Sequence, residues 1–390
     1  MKSENNNGAL TVYLEGRIDS SNSAQTDAEI TEILSSDTYE SLVIDAEKLE
    51  YISSAGLRVM LRIRKNNPDM KIVNVSSEVY DIFDMTGFTE MITIEKAYRR
   101  LSVEGCEVIG QGANGKVYRL DDDTIIKVYL NPDSLADIQR ERELARAAFI
   151  LGIPTAIPYD VVKVGDGYGS VFELLNAKSF AKLIAAEPEN LDKYVGLYVD
   201  LLKKIHSTEV KEDQMPDMKA VALDWAKFLQ DYLPKEQGDK LYALVDAVPK
   251  NTHMLHGDFH VKNVMLQNGE VLLIDMDTLC YGNPVFEFAS IFLAYVGYSE
   301  GDHSIVESFL GIKREITEKI WDKTLRLYFG TDDGEKLREI SDKARLIGYT
   351  RMMRRTIRRN GFNTEAGRRD IELCRKNIAE LLERTDSLEF

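Results

Sequence analysis

The sequence predicts an α/β domain over residues 1–101, followed by an α+β bilobal domain over residues 102–390. Three observations carry this. Over residues 10–100 short β-branched runs alternate with helical patterns, as an α/β layer with crossovers requires. Near Ser102 the pattern switches to clustered strands. From Ser179 onward helices dominate, so a β-rich lobe (102–177) precedes an α-rich lobe (178–390). A chain of 390 residues is expected to hold two or three domains, and 44% apolar content suffices for packed cores.

In the first part, residues 10–14 alternate with a two-residue period, and 41–45, 71–75 and 91–94 are further strand candidates. Helical patterns lie near 24–34, 57–65 and 78–85. In the second part strands are expected at 106–110, 116–120 and 124–130, then a helix over about 133–151. Gly165-Asp166-Gly167 reads as a hairpin turn. One strand-rich stretch, 263–275, interrupts the helical lobe. There is no internal repeat and no low-complexity linker, so the boundary near 99–103 rests on the pattern switch.

The net charge of −16 is shared: residues 1–101 carry 11 basic and 17 acidic side chains, and the remainder 38 and 48. Acidity in both parts argues against nucleic-acid or anionic-membrane partners. Cys106, Cys280 and Cys374 are far apart and odd in number, which suits a reducing compartment better than a disulfide framework or a zinc site. The N-terminus has no apolar signal-peptide region, and the longest mostly apolar run, 285–296, contains Glu287 and is too short to span a bilayer. A cytoplasmic protein is the expectation.

Five elements in one order carry the chemistry. Gly110-Gln111-Gly112-Ala113-Asn114-Gly115-Lys116-Val117 is G-x-G-x-x-G-x-V on a strand–turn–strand. Glycines there let backbone N–H groups approach phosphate oxygens, although the motif alone usually marks only a turn. A dinucleotide-binding fold is excluded because a strand, not a helix, follows. Lys127 sits inside the apolar strand Thr124-Ile125-Ile126-Lys127-Val128, where a lysine costs desolvation unless paired. Either its head reaches solvent from an edge strand, or it holds the α- and β-phosphates of a nucleotide. The expected partner is Glu143, beside the apolar run that starts at Leu144, with Glu141 competing. Two unit charges about 4 Å apart attract by roughly 4 kcal/mol at an effective dielectric near 20, enough to orient the lysine.

The strongest element is His256-Gly257-Asp258-Phe259-His260-Val261-Lys262-Asn263. Kinase catalytic loops place a base Asp five residues before a metal-binding Asn, the spacing of Asp258 and Asn263. Leu272-Leu273-Ile274-Asp275-Met276-Asp277 ends an apolar strand in a carboxylate. A strand-end Asp is often a turn former; here Asp275 comes twelve residues after Asn263, where a magnesium-binding Asp is wanted. Each element has a plain structural alternative, and their common order makes coincidence a poor explanation.

On these residues, 102 to about 300 resembles the aminoglycoside phosphotransferase and choline kinase family. The loop matches that family's H-G-D-x-H-x-x-N better than the H-R-D of protein kinases, and Ile274-Asp275-Met276-Asp277 matches I-D-x-[DEG]. Ile205-His206-Ser207 resembles its L-H-S, and Gly152-Ile153-Pro154 the turn after the Glu-bearing helix. The glycine loop is closer to protein kinases than that of many members. The resemblance implies a protein-kinase-like fold, ATP and Mg2+ as cofactors, and an alcohol group on a small molecule as acceptor. Asp258 would accept the proton of the attacking hydroxyl. Gly110, Gly112, Gly115, Val117, Lys127 and Glu143, with Glu173 and Leu175 of the hinge Phe172-Glu173-Leu174-Leu175, would bind ATP. Asn263 and Asp275 would hold the metal, and Asp277 is either a second acidic ligand or structural. His253, His256 and His260 have metal-ligand spacing but lack a nearby cysteine and are interrupted by Gly257, so they read as loop architecture. His206 reads as capping or packing its helix end.

In the first domain Tyr51-Ile52-Ser53-Ser54-Ala55-Gly56-Leu57-Arg58 precedes a helix face of Leu57, Met60, Leu61 and Arg64, so Ser53 and Ser54 stand where an N-cap is wanted. The segment resembles the D-S-[ST]-G-L-G of STAS domains of anti-sigma factor antagonists. Leu14-Glu15-Gly16-Arg17-Ile18-Asp19 and Ile82-Phe83-Asp84-Met85-Thr86-Gly87-Phe88 match two further family segments, and the resemblance covers about 8–100. It implies a protein partner and places Ser54 on the phosphorylated serine, with Ser53 replacing the preceding aspartate. A helix N-terminus tolerates a phosphate's added charge.

Near the C-terminus Arg351, Arg354, Arg355, Arg358 and Arg359 recur at helical spacing. They read as a solvated face, as partners of the domain's own acidic surface, or as a seat for a phosphate or acid. The leading expectation is a small-molecule kinase with a STAS regulatory or docking domain. The alternatives are a protein-directed serine kinase in an anti-sigma-type pathway and a non-catalytic nucleotide-binding signalling scaffold. The H-G-D loop weighs against the first, and the intact set Lys127, Asp258, Asn263 and Asp275 against the second.

Overall fold

Alternation in the first long strand buries Leu10, Val12, Leu14 and Ile18 on one face, and a sheet forms around it. The computed structural model describes residues 1–390 except Asn7, Asp37, Ala113, Asn114 and Ile157. The elements of the first unit are β1 (Lys2–Asn6), β2 (Ala9–Ile18), α1 (Ser23–Ser36), β3 (Ser41–Ile52), α2 (Ser54–Asn66), β4 (Lys71–Val75), α3 (Ser77–Met85) and β5 (Thr93–Lys96). The sheet runs β1-β2-β3-β4-β5, with β1 antiparallel to β2 and the remaining pairs parallel. The parallel pairs are joined through α1, α2 and α3, as crossovers demand.

Ser53 caps α2, its Oγ accepting from the N–H groups of Ala55 and Gly56 at 3.2 and 3.5 Å. Gly56 is needed for packing: a Cβ there would lie 2.7 Å from Ile52 Cγ1 and 2.8 Å from Ile18 Cγ2. Gly56→Ala is therefore expected to destabilise this unit by about 1–3 kcal/mol through overpacking. Chemical denaturation measures it, and an unchanged midpoint would refute the packing argument.

The chain divides into two compact units, Met1–Ser102 with Val162–Gly165, and Val103–Val161 with Asp166–Phe390. The second begins with β6 (Val108–Gln111), β7 (Gly115–Arg119), β8 (Thr124–Tyr129), α4 (Leu135–Ile150), β9 (Pro158–Val164) and β10 (Gly167–Glu173), in sheet order β6-β7-β8-β10-β9. A helical lobe follows: β11 (Lys178–Ser179), α5 (Phe180–Ala186), α6 (Leu191–His206), α7 (Met218–Leu229), α8 (Lys235–Asp246), β12 (Met254–Leu255), β13 (Val264–Gln267), β14 (Glu270–Leu273) and β15 (Cys280–Tyr281). It closes with α9 (Pro284–Tyr295), α10 (Ser304–Leu310), α11 (Arg314–Phe329), α12 (Gly334–Arg358) and α13 (Glu365–Arg384).

The core of this lobe is built on α9, buried from Val285 to Tyr295. A helix apolar on every side has nowhere stable but an interior. The turn Asn268-Gly269, both at positive φ (52° and 87°), joins β13 to β14 and sets Val264 opposite Leu273. Among the described residues no helix is long and apolar enough to cross a membrane.

Candidate active site

Gly112 N–H donates to the Gly115 carbonyl at 2.9 Å, closing the glycine hairpin between β6 and β7. Ala113 and Asn114 of that loop lie outside the described residues. Gly115 lies where β7 meets β8, and a Cβ there would stand 2.4 Å from the Val128 carbonyl oxygen. Gly110 is half-buried on β6, and Val117 pairs with Lys127 across the β7–β8 ladder. Glu173 ends β10 opposite Thr124 and is exposed; Leu175 is half-buried. Between them the Leu174 N–H already donates to the Asp123 carbonyl at 2.7 Å.

Lys127 Nζ donates to both carboxylate oxygens of Glu141, at 2.9 and 3.1 Å, and to Asp275 Oδ1 at 3.0 Å. Glu141 also accepts from Tyr129 OH at 2.6 Å. The expected partner Glu143 is thus corrected to Glu141. The reason is helical period: α4 buries Ile138, Glu141, Leu144, Ala145 and Ala148 at three- and four-residue steps, which turns Glu143 to solvent. Burial works against the Lys127 charge, but Asp275 and Glu141 outweigh it and hold the pKa well above the ordinary lysine range. The group is an ammonium at any working pH.

The loop 256–263 is held from several elements. Gly257 has φ +81°, and a Cβ there would lie 2.5 Å from the Thr278 carbonyl oxygen, so only glycine fits. The buried Glu287 carboxylate on α9 accepts from the N–H groups of His256 and Gly257, the latter at 3.0 Å. Ser290 Oγ and Arg351 Nη1 both donate to the Gly257 carbonyl, at 2.8 and 3.0 Å. Thr278 Oγ1 donates to the His256 carbonyl at 2.7 Å.

These contacts present Asp258. Its N–H donates to His256 Nδ1 at 3.2 Å, which leaves the His256 proton on Nε2, 3.3 Å from the Ile274 carbonyl. His260 Nε2 lies 3.5 Å from Asp258 Oδ2. Burial pushes the Asp258 carboxyl up, but His260, Arg351 and His256 outweigh it and bring the pKa down to about 2. With 44% of its side chain exposed, Asp258 is an accessible carboxylate.

Asn263 Nδ2 donates to the Asp258 carbonyl at 3.1 Å, so its amide oxygen is the atom left for a cation. Ile274 N–H donates to the Asn263 carbonyl at 2.9 Å, and the β13–β14 hairpin brings Asp275 alongside Asn263. Asp275 adopts a left-handed conformation with φ +64°. Burial first, then the Asp275 charge, push Asp277 up to about 6. Two oxygen donors, Asn263 Oδ1 and the Asp275 carboxylate, fit a hard cation that takes its other ligands from water and phosphate.

Lys127, Asp258, Asn263 and Asp275 thus form one connected cluster, while Ser54 lies in the first unit, exposed, as the first residue of α2. His206 is buried, 2.8 Å through Nδ1 from Tyr328 OH and 3.7 Å through Nε2 from Glu287. Glu287 and Ser290 escape the motif reading, and Arg351 enters it only as one of the arginines near the C-terminus. The available signal for Glu287 is its charge inside the apolar run 285–296, which demands partners.

A model of the phosphotransferase enzyme family (APH) matches residues 105–315, and a STAS domain model matches 1–101. A curated protein of Bordetella bronchiseptica, named as an anti-sigma factor antagonist, BtrV, is 30% identical over 91 residues, 22% of this chain and 78% of that protein. The apo crystal structure of a thermostable mutant of aminoglycoside phosphotransferase APH(4)-Ia superposes with TM-score 0.50 at 13% identity, over 72% of this chain and 97% of that chain. A ternary complex of such a mutant with ADP and hygromycin B gives TM-score 0.50 at 13% identity, over 72% and 94%. The likeness to these structures is one of fold, and the fold is kinase-like.

Proposed function

Because the chain belongs to the phosphotransferase enzyme family and carries a STAS domain ahead of that region, we propose that it transfers the γ-phosphoryl group of ATP to a hydroxyl of a small molecule. The observation that carries this is the connected cluster of Lys127, Glu141, Asp275, Asn263 and Asp258. In this reading Lys127 holds the α- and β-phosphates, and the glycine hairpin covers them with backbone N–H groups. Glu173 and Leu175 border the base. Mg2+ would be held by Asn263 and Asp275 and would neutralise phosphate charge. Asp258 takes the hydroxyl proton as the acceptor oxygen bonds to the γ-phosphorus and the bond to the ADP oxygen breaks. Positioning and charge neutralisation supply most of the rate in such transfers.

The test is magnesium-dependent ADP release across a panel of aminoglycosides, amino alcohols, sugars, nucleosides, hydroxy acids and sugar phosphates. Release that needs one acceptor and stops on chelation is expected. No acceptor-dependent release would sink the reading in favour of a protein substrate or a scaffold. The pairing of Lys127 gives a sharper check: Glu141→Gln is expected to raise the KM for ATP roughly ten- to a hundred-fold, since a charge-assisted contact contributes roughly 1.5–3 kcal/mol. Glu143→Gln, on the exposed face, should leave it unchanged; equal effects would refute the assignment.

The STAS unit serves as a docking or regulatory module for a protein partner in this reading, with Ser54 as its phosphorylation site. Ser54 is exposed at the first turn of α2, where added negative charge is favoured by the helix dipole. Incubation with MgATP and peptide mass spectrometry, with Ser54→Ala as control, tests whether the chain modifies itself there. Phosphate on Ser54 would favour the protein-directed serine kinase.

A further inference from the structure

We propose that the hydroxyl acceptor carries an anionic group, carboxylate or phosphate, seated on an arginine stripe of α12 that starts at the catalytic loop; this rests on the phosphotransferase reading above. Arg351, Arg354, Arg355 and Arg358 are three and four residues apart and share one face of α12. The near end of the stripe is fixed by contact. Arg351 Nη1 donates to the Gly257 carbonyl at 3.0 Å, one residue from Asp258, and to Ser290 Oγ at 2.9 Å. With a rise of about 1.5 Å per residue, Arg354 and Arg355 stand roughly 5–6 Å and Arg358 roughly 10 Å further along the helix.

Neighbouring elements flank this face. On α7, Trp225 and Phe228 lie under the guanidinium groups of Arg351 and Arg354, 5.7 and 5.8 Å from the ring centroids. On the other side Arg355 Nη1 donates to Tyr298 OH at 2.9 Å. Aromatic faces hold arginines flat while leaving their outer N–H groups to a ligand.

Charge decides the ligand class. Asp224 on α7 pairs with Arg354 at 2.6 Å. Glu300 is engaged by Tyr349 OH at 2.6 Å and by Arg345 at 3.6 Å. Among the described residues Arg351 and Arg355 make their polar contacts to a carbonyl and hydroxyls, not to carboxylates. Arg355 and Arg358 are exposed. The stripe therefore keeps guanidinium charge in excess on a helix whose first arginine of the stripe meets the loop next to Asp258, in a chain of net charge −16. An anion there gains charge-assisted, bidentate hydrogen bonds, and a polycation is repelled. Every basic position of the stripe is arginine, whose planar fork matches carboxylate and phosphate.

Glycerol, D-glycerate and glycerol 3-phosphate present comparable hydroxyls with rising negative charge, and kanamycin supplies a polycation. Each is titrated by calorimetry into the full chain saturated with MgADP, so that the nucleotide site is closed to the probes. The two anions are expected to bind at least ten-fold more tightly than glycerol and kanamycin. The double variant Arg355→Gln with Arg358→Gln, both exposed and both replaced by a good helix former, should lose that preference and keep its MgADP affinity. A stronger response to glycerol 3-phosphate identifies a phosphate-bearing acceptor, and to glycerate a hydroxy acid. Equal binding of glycerol, tighter binding of kanamycin, or an unchanged preference in the variant overturns the proposal. ADP release from ATP is followed separately: anion binding with no acceptor-dependent release overturns the transfer reading and leaves the anion seat standing.

Discussion

Asp258→Asn is expected to lower acceptor-dependent ADP release by about 10²–10⁴-fold, the range a positioned general base contributes, while nucleotide affinity stays near that of the parent. The substitution is close to isosteric, and the Asp258 backbone carries the bonds that order the loop: its N–H meets His256 and its carbonyl meets Asn263. Those contacts survive the change, so the loss is chemical. The pKa near 2 sets the pH dependence. A carboxyl held below its ordinary value is ionised throughout the neutral range, so Asp258 produces no acid limb there. Its contribution to folding runs the same way: present above the unfolded carboxyl's pKa and lost as pH falls toward 2. A steady-state profile of parent and variant reads all of this. A variant retaining more than a tenth of parental kcat, or an acid limb that vanishes in it, would remove Asp258 from the role assigned.

Glu287→Ala is expected to cost about 3–5 kcal/mol of stability, the loss typical when one member of a buried charged set is removed. Glu287 is fully buried and receives two consecutive backbone N–H groups of the loop 256–263. Burial opposes its charge, but His206 and His256, the latter also through its backbone N–H, overcome it and keep the carboxyl below its ordinary value. Alanine leaves both N–H groups without an acceptor. Glu287→Gln keeps the shape and one acceptor oxygen, so it should lie between parent and alanine. Denaturant unfolding ranks the three. If Glu287→Ala unfolds at the parent's midpoint, the loop is held without Glu287, by the Ser290 and Arg351 contacts at Gly257 and the Thr278 contact at His256.

The loop 256–263 and the carboxylate strand are legible because their spacing is local: five residues separate Asp258 from Asn263, and one hairpin sets Asp275 beside them. Adjacency to the apolar run at Leu144 points to Glu143 as the partner of Lys127, but helical period selects Glu141 with Ile138, Leu144 and Ala148. Strand β1 left no trace in the hydropathy pattern. All five of its residues are exposed, and it is defined by backbone pairing with β2, Lys2 opposite Tyr13. Arg351 meets the Gly257 carbonyl across 94 positions. Its spacing with the other arginines was visible, but the loop that its end of the stripe touches was set by the packing of α12 on α9 and α7.

Asp275 has a bearing on how such a site would decay. A non-glycine residue at φ +64° carries about 1 kcal/mol of backbone strain that glycine does not feel. Aspartate and glycine codons differ by one base, so a single drift event relieves the strain while removing the carboxylate that meets Lys127. A gene copy released from selection on chemistry would therefore have an easy first step toward a well-folded, silent descendant. In such a lineage an aspartate that survives marks a copy in which the contact with Lys127 is kept.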